Sequence, residues 1–170
     1  MTRKAVVFWP LVSVLLLADC TTKQVAAEHL EPEHVPHEVL GDVVRFTLAY
    51  NEGASFSISL GEHTRWIITG LALVVIGALM LQYWKAAAHD RLMALALAFI
   101  VSGAAGNLLD RIRRPRGVVD FIDIGVGDVR FWTFNLADVA IFCGGVLLAH
   151  LLIRRERDEA LSGVLPPASP

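Results

Sequence analysis

The sequence predicts an integral membrane protein, mainly α-helical, with four transmembrane helices and a small extracytoplasmic β-sheet cap. Hydrophobic residues make up 55% of the 170 residues and charged residues only 19%, whereas a soluble domain carries about a quarter charged residues. The apolar residues are concentrated in long runs, and those at 66–84 and 92–109 contain no charged residue. About 20 apolar residues at ~1.5 Å rise per residue cross the hydrocarbon core as a helix, which favours the membrane class.

The first span is expected at 5–27, although its uncharged part is short. Asp19 and Lys23 interrupt it, and because they lie four residues apart they share one face of a helix. A paired charge is tolerated near the end of a span, where the lysine reaches the interface. The alternative is a cleaved lipoprotein signal that ends at Leu17–Cys20. Cleavage before a lipid-modified cysteine requires a small neutral residue where Asp19 stands, so a retained span is favoured.

The last span is expected at 131–153, and four spans bring both termini to the same side of the membrane. The outer loops are then 28–65 and 110–130. Basic residues are balanced between the two sides, so their count alone does not orient the protein. The leading side of the first span is basic, which favours cytoplasmic termini. Residues 1–153 are expected to form a single domain.

Two short strands are expected in the first outer loop. Val44–Tyr50 is rich in residues that favour strands, and polar and apolar residues alternate over Ser55–Ile58. A turn that contains Gly53 separates them, which predicts a small sheet on the membrane surface. The tail 154–170 is charged and then rich in proline, a composition typical of disorder.

Composition argues against several classes of function. The net charge of −2 provides no large basic surface, so no nucleic-acid partner is expected. Two cysteines cannot form a disulfide scaffold. Histidines and cysteines lack metal-ligand spacing, and the glycine-rich stretch 103–106 lacks the context of a phosphate loop, so neither a metal nor a cofactor is predicted.

Polar side chains within the spans are the candidate functional residues, because each is expensive in lipid unless it is paired or hydrated. Asp138 lies about two turns into the last span, and Asn135, three residues earlier, shares its helical face. A second set of polar residues shares one face at the end of the third span: Asn107, Asp110 and Arg111. Asp120 follows in the outer loop 110–130, which is long enough to return it to the start of the last span.

Two carboxylates that meet at a membrane interface can hydrolyse a peptide bond without a metal. If Asp120 and Asp138 approach closely, repulsion and desolvation raise one pKa, so that the pair holds a single proton. The ionised carboxylate then activates a water, and the protonated one polarises a carbonyl. From the residues alone, Asp138 is also compatible with a buried structural acid or with ion or proton transport. Asp120 taken alone is more typical of a solvated loop acid.

Four ordered sequence blocks carry a resemblance to a known family. They are Asp19–Lys23, Asn51–Ser57, Gly103–Arg111 with Gly117–Phe121, and Phe134–Asp138. Over roughly residues 5–153 the chain resembles bacterial lipoprotein signal peptidase (signal peptidase II), a family of intramembrane aspartic peptidases. Cys20 and Ser102 depart from the family pattern, which usually has glutamine and commonly glycine there, but neither belongs to the candidate pair of acids.

The resemblance implies a catalytic pair formed by Asp120 and Asp138. It also implies a set of residues that hold or orient the substrate and the pair: Asn51, Gly53, Asn107, Asp110, Arg111 and Asn135, with Asp19 and Lys23 serving the site or its scaffold. The implied substrate is a prolipoprotein whose cysteine carries diacylglycerol, and the chain would be cut just before that cysteine. The implied location is the bacterial inner membrane among its lipids, with the site near the extracytoplasmic face and no obligate protein partner.

Two alternative functions compete with the peptidase. A small transporter or proton-conducting protein would use Asp138, but the second and third spans carry no polar stripe before Asn107. A membrane-anchored assembly factor would use the N-terminal segment as a lipoprotein signal, which Asp19 opposes. The prediction is therefore an aspartic endopeptidase.

Overall fold

The helices of the computed structural model confirm the prediction of four membrane spans. The structure describes residues 2–51, 53 and 63–164. Four helices in these ranges are long and apolar enough to cross a membrane. They are α1 (Arg3–His29), α2 (Thr64–Lys85), α3 (Arg91–Arg113) and α4 (Leu136–Val164).

A four-stranded antiparallel sheet joins the two predicted outer loops. Its strands, in spatial order, are β1 (Pro36–Leu40), β2 (Val44–Asn51), β3 (Val118–Val126) and β4 (Val129–Arg130). β2 confirms the strand predicted at Val44–Tyr50, and the strand predicted at Ser55–Ile58 lies outside the described residues. β3 pairs with β2 so that Asp120 lies opposite Ala49. The sheet therefore brings the second outer loop back beside the first.

α4 differs from the predicted span 131–153 at both ends. Residues 131–135 are not helical, because Phe134 exchanges backbone hydrogen bonds of 3.0 and 2.8 Å with Ile122 of β3. At the other end, the tail predicted to be disordered from 154 is helical as far as Val164. Its arginine, glutamate, alanine and leucine residues are good helix formers. Their helix propensity outweighs the charged composition that predicted disorder. The last residues, 165–170, lie outside the described ranges.

α3 is the central helix of the bundle. Of its apolar stretch, 56% is buried, compared with 11% for α1 and for α2. Two glycines let its neighbours approach closely. A Cβ on Gly103 would lie 2.3 Å from the carbonyl oxygen of Ala137 in α4, and one on Gly106 would lie 2.3 Å from Asp19 Oδ2 in α1. As a result, α1, α3 and α4 meet at the end of the bundle that carries the sheet.

The opposite end of the bundle has an apolar core. Phe8 of α1 stacks on Tyr83 of α2 with ring centroids 4.1 Å apart, and both rings belong to a cluster with Met93 and Leu97 of α3. Lys4 is buried beside them, and its ammonium donates to backbone carbonyls at the C-terminal end of α2. This end holds α1, α2 and α3 together by packing and by helix capping.

Candidate active site

The first turn of α4 positions Asp138 through a capping box. Asn135 directly precedes the helix, and its Oδ1 accepts from the backbone N–H of Asp138 at 3.0 Å. In return, Asp138 Oδ2 accepts from the backbone N–H of Asn135 at 3.1 Å. The reciprocal bonds satisfy backbone donors that have no partner within the helix. They hold the Asp138 carboxylate at the N-terminal end of α4.

β3 positions a second carboxylate, that of Asp120, which is only 3% exposed. Asn135 Nδ2 donates to Asp120 Oδ1 at 2.6 Å. Asn51, at the end of β2, donates from Nδ2 to Asp120 Oδ2 at 3.1 Å. Both outer loops and α4 therefore contribute to the surroundings of this acid.

Asn135 connects the two carboxylates. Its side chain donates to Asp120 and its backbone N–H donates to Asp138. Asn107 of α3 donates from Nδ2 to the other oxygen of Asp138 at 2.8 Å. Each oxygen of the two acids thus accepts a hydrogen bond from an N–H group. Asp120 and Asp138 also line one cavity of about 920 Å³, so the structure brings together the two acids that the sequence analysis had paired.

The surroundings of the two acids differ. Burial raises the pKa of the Asp120 carboxyl, and the negative charge of Asp138 raises it further, to about 6. Hydrogen bonds from Asn51 and Asn135 oppose this rise because they stabilise the ionised carboxylate. Asp138 lies at the N-terminal end of α4, where the helix dipole favours a negative charge. The raised pKa therefore favours a proton on the Asp120 carboxyl.

Three asparagine amides turn their NH₂ groups towards the acids, and a donor on the far side fixes each orientation. Oδ1 of Asn51 accepts from the backbone N–H of Gly53 at 2.9 Å. Oδ1 of Asn107 accepts from Lys23 Nζ at 2.8 Å. Oδ1 of Asn135 accepts from the backbone of α4. Because backbone N–H and ammonium groups only donate, the other side of each amide is left to donate to a carboxylate.

A buried ionic cluster ties the helices of the site together. Lys23 is 1% exposed, and its ammonium lies 2.9 Å from Asp19 Oδ2 and 3.3 Å from Asp110 Oδ2. Asp19 Oδ1 accepts from the backbone N–H of Ala137 in α4 at 2.9 Å. Asp110 accepts from the backbone N–H of Val119 at 3.2 Å, which holds the start of β3. The cluster thus anchors the segments that carry the two acids.

Arg111 also lines the cavity. Its Nη1 donates to the backbone carbonyl of Asn107 at 3.2 Å, and its buried Nε has no hydrogen-bond partner among the described residues. Arg65, at the start of α2, donates from Nε to the backbone carbonyl of Arg111 at 2.6 Å. The sequence analysis missed Arg65, because its role as a cation at the C-terminal end of α3 depends on how α2 packs.

Gly53 holds the turn that orients Asn51. Its φ of +113° is one that glycine adopts readily and other residues rarely do. A Cβ at this position would lie 2.3 Å from Ile68 Cδ1 of α2. The rest of this sequence block, Glu52 and 54–57, lies outside the described residues.

One wall of the cavity is apolar, and the sequence analysis did not predict it. Its side chains are Phe131, Trp132, Phe134, Val139 and Phe142. Trp132 and Phe142 are 62% and 71% exposed, so the cavity opens along the outer surface of α4. The sequence signal was the aromatic run that directly precedes Asn135.

The fold and this site define a class: a membrane-spanning protein of the aspartic peptidase type, with two carboxylates at one end of its helix bundle. Within the described ranges, no three His, Cys, Asp or Glu side chains are grouped as a metal site requires. A family model for signal peptidase (SPase) II matches residues 11–154. The chain therefore belongs to the signal peptidase II family and is a peptidase.

Similar proteins cover most of the chain. It is 40% identical over 142 residues to a lipoprotein signal peptidase of Photorhabdus laumondii, with 81% of this chain and 82% of the relative covered. Identity to a lipoprotein signal peptidase of Halalkalibacterium halodurans is 36% over 152 residues, covering 89% and 94%. A solved bacterial membrane enzyme, 26% identical, superposes with a TM-score of 0.76 over 87% of this chain and 88% of that one. The predicted family, fold class and protease activity are confirmed, and the transporter alternative is not favoured.

Proposed function

We propose that the protein removes signal peptides from diacylglyceryl-modified prolipoproteins by cutting just before the lipidated cysteine, with Asp120 and Asp138 as the catalytic pair. The observation that carries the proposal is the connection of both carboxylates through Asn135 beside one cavity. Relatives named lipoprotein signal peptidase support the choice of substrate.

The two acids divide the roles of base and acid. Asp138, as a carboxylate, takes a proton from a water molecule as the water oxygen attacks the scissile carbonyl carbon. Asp120, whose pKa is raised to about 6, acts in its protonated form and donates this proton to the carbonyl oxygen. The tetrahedral intermediate then collapses and the C–N bond breaks. The leaving amine takes the proton from Asp138, and Asp120 recovers its proton from the hydroxyl of the intermediate.

The lining of the cavity suits both parts of such a substrate. The Arg111 guanidinium lines the cavity near the acids, where it can donate to a peptide carbonyl of the substrate. The apolar wall, which includes Trp132 and Phe142, continues onto the surface of α4 where lipid chains lie. A lipid-modified peptide would therefore reach the acids from the bilayer without leaving it.

We infer a multi-pass arrangement in the bacterial inner membrane, with both termini cytoplasmic and the cavity near the extracytoplasmic face. Two contacts support termini on one side. The backbone N–H of Lys4 donates to Ala88 at 3.1 Å, and Arg155 forms an ion pair with Asp90. The start of α1 and the end of α4 therefore both lie beside the α2–α3 connection. The inferred partners are prolipoproteins and membrane lipids, with no obligate protein partner.

A cleavage assay on a lipidated precursor in detergent tests the proposal. Asp120→Asn and Asp138→Asn are each expected to abolish cleavage while the protein still folds and inserts. Asp123→Asn is the matched control: this carboxyl is also buried in β3, but it pairs with Arg130 at 2.7 Å instead of lining the cavity. Cleavage should persist in the control, and a chelator should leave the wild type unaffected. Substantial turnover by either of the first two variants, or sensitivity to chelator, would contradict the mechanism.

A further inference from the structure

We propose that Lys23 is a positioning residue of the catalytic pair, acting through the Asn107 amide; this inference rests on the proposed function of Asp120 and Asp138. The route from Lys23 to the pair has two hydrogen bonds. Lys23 Nζ donates to Asn107 Oδ1 at 2.8 Å, and Asn107 Nδ2 donates to Asp138 Oδ1 at 2.8 Å. Lys23 is 1% exposed and its bond to Asn107 is buried, so water does not compete with Lys23 for this amide oxygen.

The chemistry of the groups allows only one orientation of this amide. Asn107 Oδ1 accepts from Lys23 Nζ and, at 3.1 Å, from Asn135 Nδ2. If the amide were reversed, its NH₂ group would face two donors and its oxygen would face the carboxylate of Asp138. The ammonium of Lys23 only donates, so it cannot form a hydrogen bond with the NH₂ group of a reversed amide. Lys23 therefore ensures that Asn107 donates to Asp138 and stabilises its ionised form.

The charge of Lys23 acts in the same direction. Two other charged groups face Asp138: Arg111 of α3 and Asp120 of β3. The carboxylates of Asp19 and Asp110 lie on the far side of Asn107, next to Lys23. Without Lys23, these carboxylates would leave the base in more negative surroundings. The cation therefore offsets the negative charge of these carboxylates beside the base.

The test compares folded variants of the full-length protein. Lys23→Met is expected to lower kcat per folded enzyme by about ten- to hundredfold, the effect of one lost hydrogen bond to a charged group. KM should change little, because Lys23 does not line the cavity. Lys23→Arg, which keeps a cation that only donates, should retain most of the wild-type kcat. If Lys23→Met yields no folded protein, Lys23→Gln takes its place with the same expectation, because a glutamine amide both donates and accepts.

Lys4→Met is the matched control, since Lys4 is also a buried lysine of α1. Its ammonium bonds to the backbone carbonyls of Tyr83, Trp84 and Ala86. This variant should unfold at a lower temperature while kcat and KM of the folded enzyme stay unchanged, which is also what a purely structural Lys23 would show.

A double-mutant cycle separates the proposed route from other effects. In an Asn107→Ala background, Lys23→Met should lower kcat by less than about threefold, because the amide through which it acts is gone. Wild-type kcat in folded Lys23→Met, or full additivity with Asn107→Ala, would overturn the inference. Failure of the proposed function would look different, because Asp120→Asn would then still cleave.

Discussion

Each end of the helix bundle contains a buried lysine of α1 and a side chain that caps another helix. At one end, Lys4 donates to backbone carbonyls of α2, and Asp90 caps α3 by accepting from the backbone N–H of Met93 at 3.0 Å. At the other end, Lys23 bonds to the side chain of Asn107, and Asn135 caps α4.

The two ends differ in whether the group that accepts from the lysine can form a further hydrogen bond to another side chain. The groups that accept from Lys4 are backbone carbonyls, which form no such further bond among the described residues. The amides of Asn107 and Asn135 have a second side, and each passes a hydrogen bond on to an acid. Both ends have a buried lysine and a helix cap. Within the described part of the chain, only the candidate active-site end has a series of side-chain hydrogen bonds that leads from the lysine to an acid.

The largest effect is expected from Asn135→Ala, which removes the donor to Asp120 and the cap on Asp138. We expect kcat to fall by about a hundredfold or more, because a fixed donor to a reacting group is lost. Activity per folded enzyme in the cleavage assay measures this loss. Asn135→Ser is the informative partner variant: serine also caps helices well but is too short to replace the bond to Asp120. It should restore thermal stability without restoring kcat, and recovery of both would mean that capping alone matters.

The pH dependence of kcat/KM should reveal the protonated acid. Because the pKa of Asp120 is raised to about 6, a mechanism that needs its proton loses activity as the pH rises above that value. The expected decline is about fiftyfold between pH 6 and pH 8. Asn51→Ala removes a hydrogen bond that lowers this pKa, so its alkaline limb should move to higher pH. A profile that stays flat across this range would contradict the assignment of Asp120 as the acid.

Much of the fold could be predicted from the sequence, because its physical signals are local. Uncharged runs such as 66–84 exceed the length needed to cross a bilayer, and Val44–Tyr50 is rich in residues that favour strands. β3 was not predictable in the same way, because Asp120 and Asp123 interrupt its apolar pattern. Their burial depends on partners in β2, α4 and β4.

The residues of the candidate site could be predicted from the sequence, but the hydrogen bonds between them could not. Asn107, Asp120 and Asp138 stood out because polar groups near lipid require a partner. Which amide faces which acid depends on donors from other segments, such as Lys23 in α1. Arg65 and the apolar wall were missed because neither carries a signal until helices and sheet are packed.

Gly106→Ala should disturb the candidate active-site end of the bundle through a steric clash. A Cβ at this position would lie 2.3 Å from Asp19 Oδ2, so the ionic cluster with Lys23 must shift. Overpacking of this kind typically destabilises by about 1–3 kcal/mol, and kcat should fall as well because Asn107 depends on Lys23. Gly77→Ala in α2 is the control, since no atom of the described residues outside the local helix backbone lies within 4 Å of its added Cβ. It should be neutral or stabilising by up to about 1 kcal/mol. Equal thermal midpoints for the two variants would show that the close approach is not needed.

The smallest effect is expected from Asp90→Ala, the counterpart of Asn135→Ala at the opposite end. The variant loses the cap on α3 and the ion pair with Arg155. Loss of a cap costs about 0.5–2 kcal/mol, and the ion pair adds little because Arg155 is exposed. The thermal midpoint should therefore fall modestly while kcat and the pH profile of the folded enzyme stay at wild-type values. If kcat of the folded Asp90→Ala enzyme also fell, as is expected for Asn135→Ala, the two ends would be coupled through α3. The contrast between a structural and a catalytic end would then have to be abandoned.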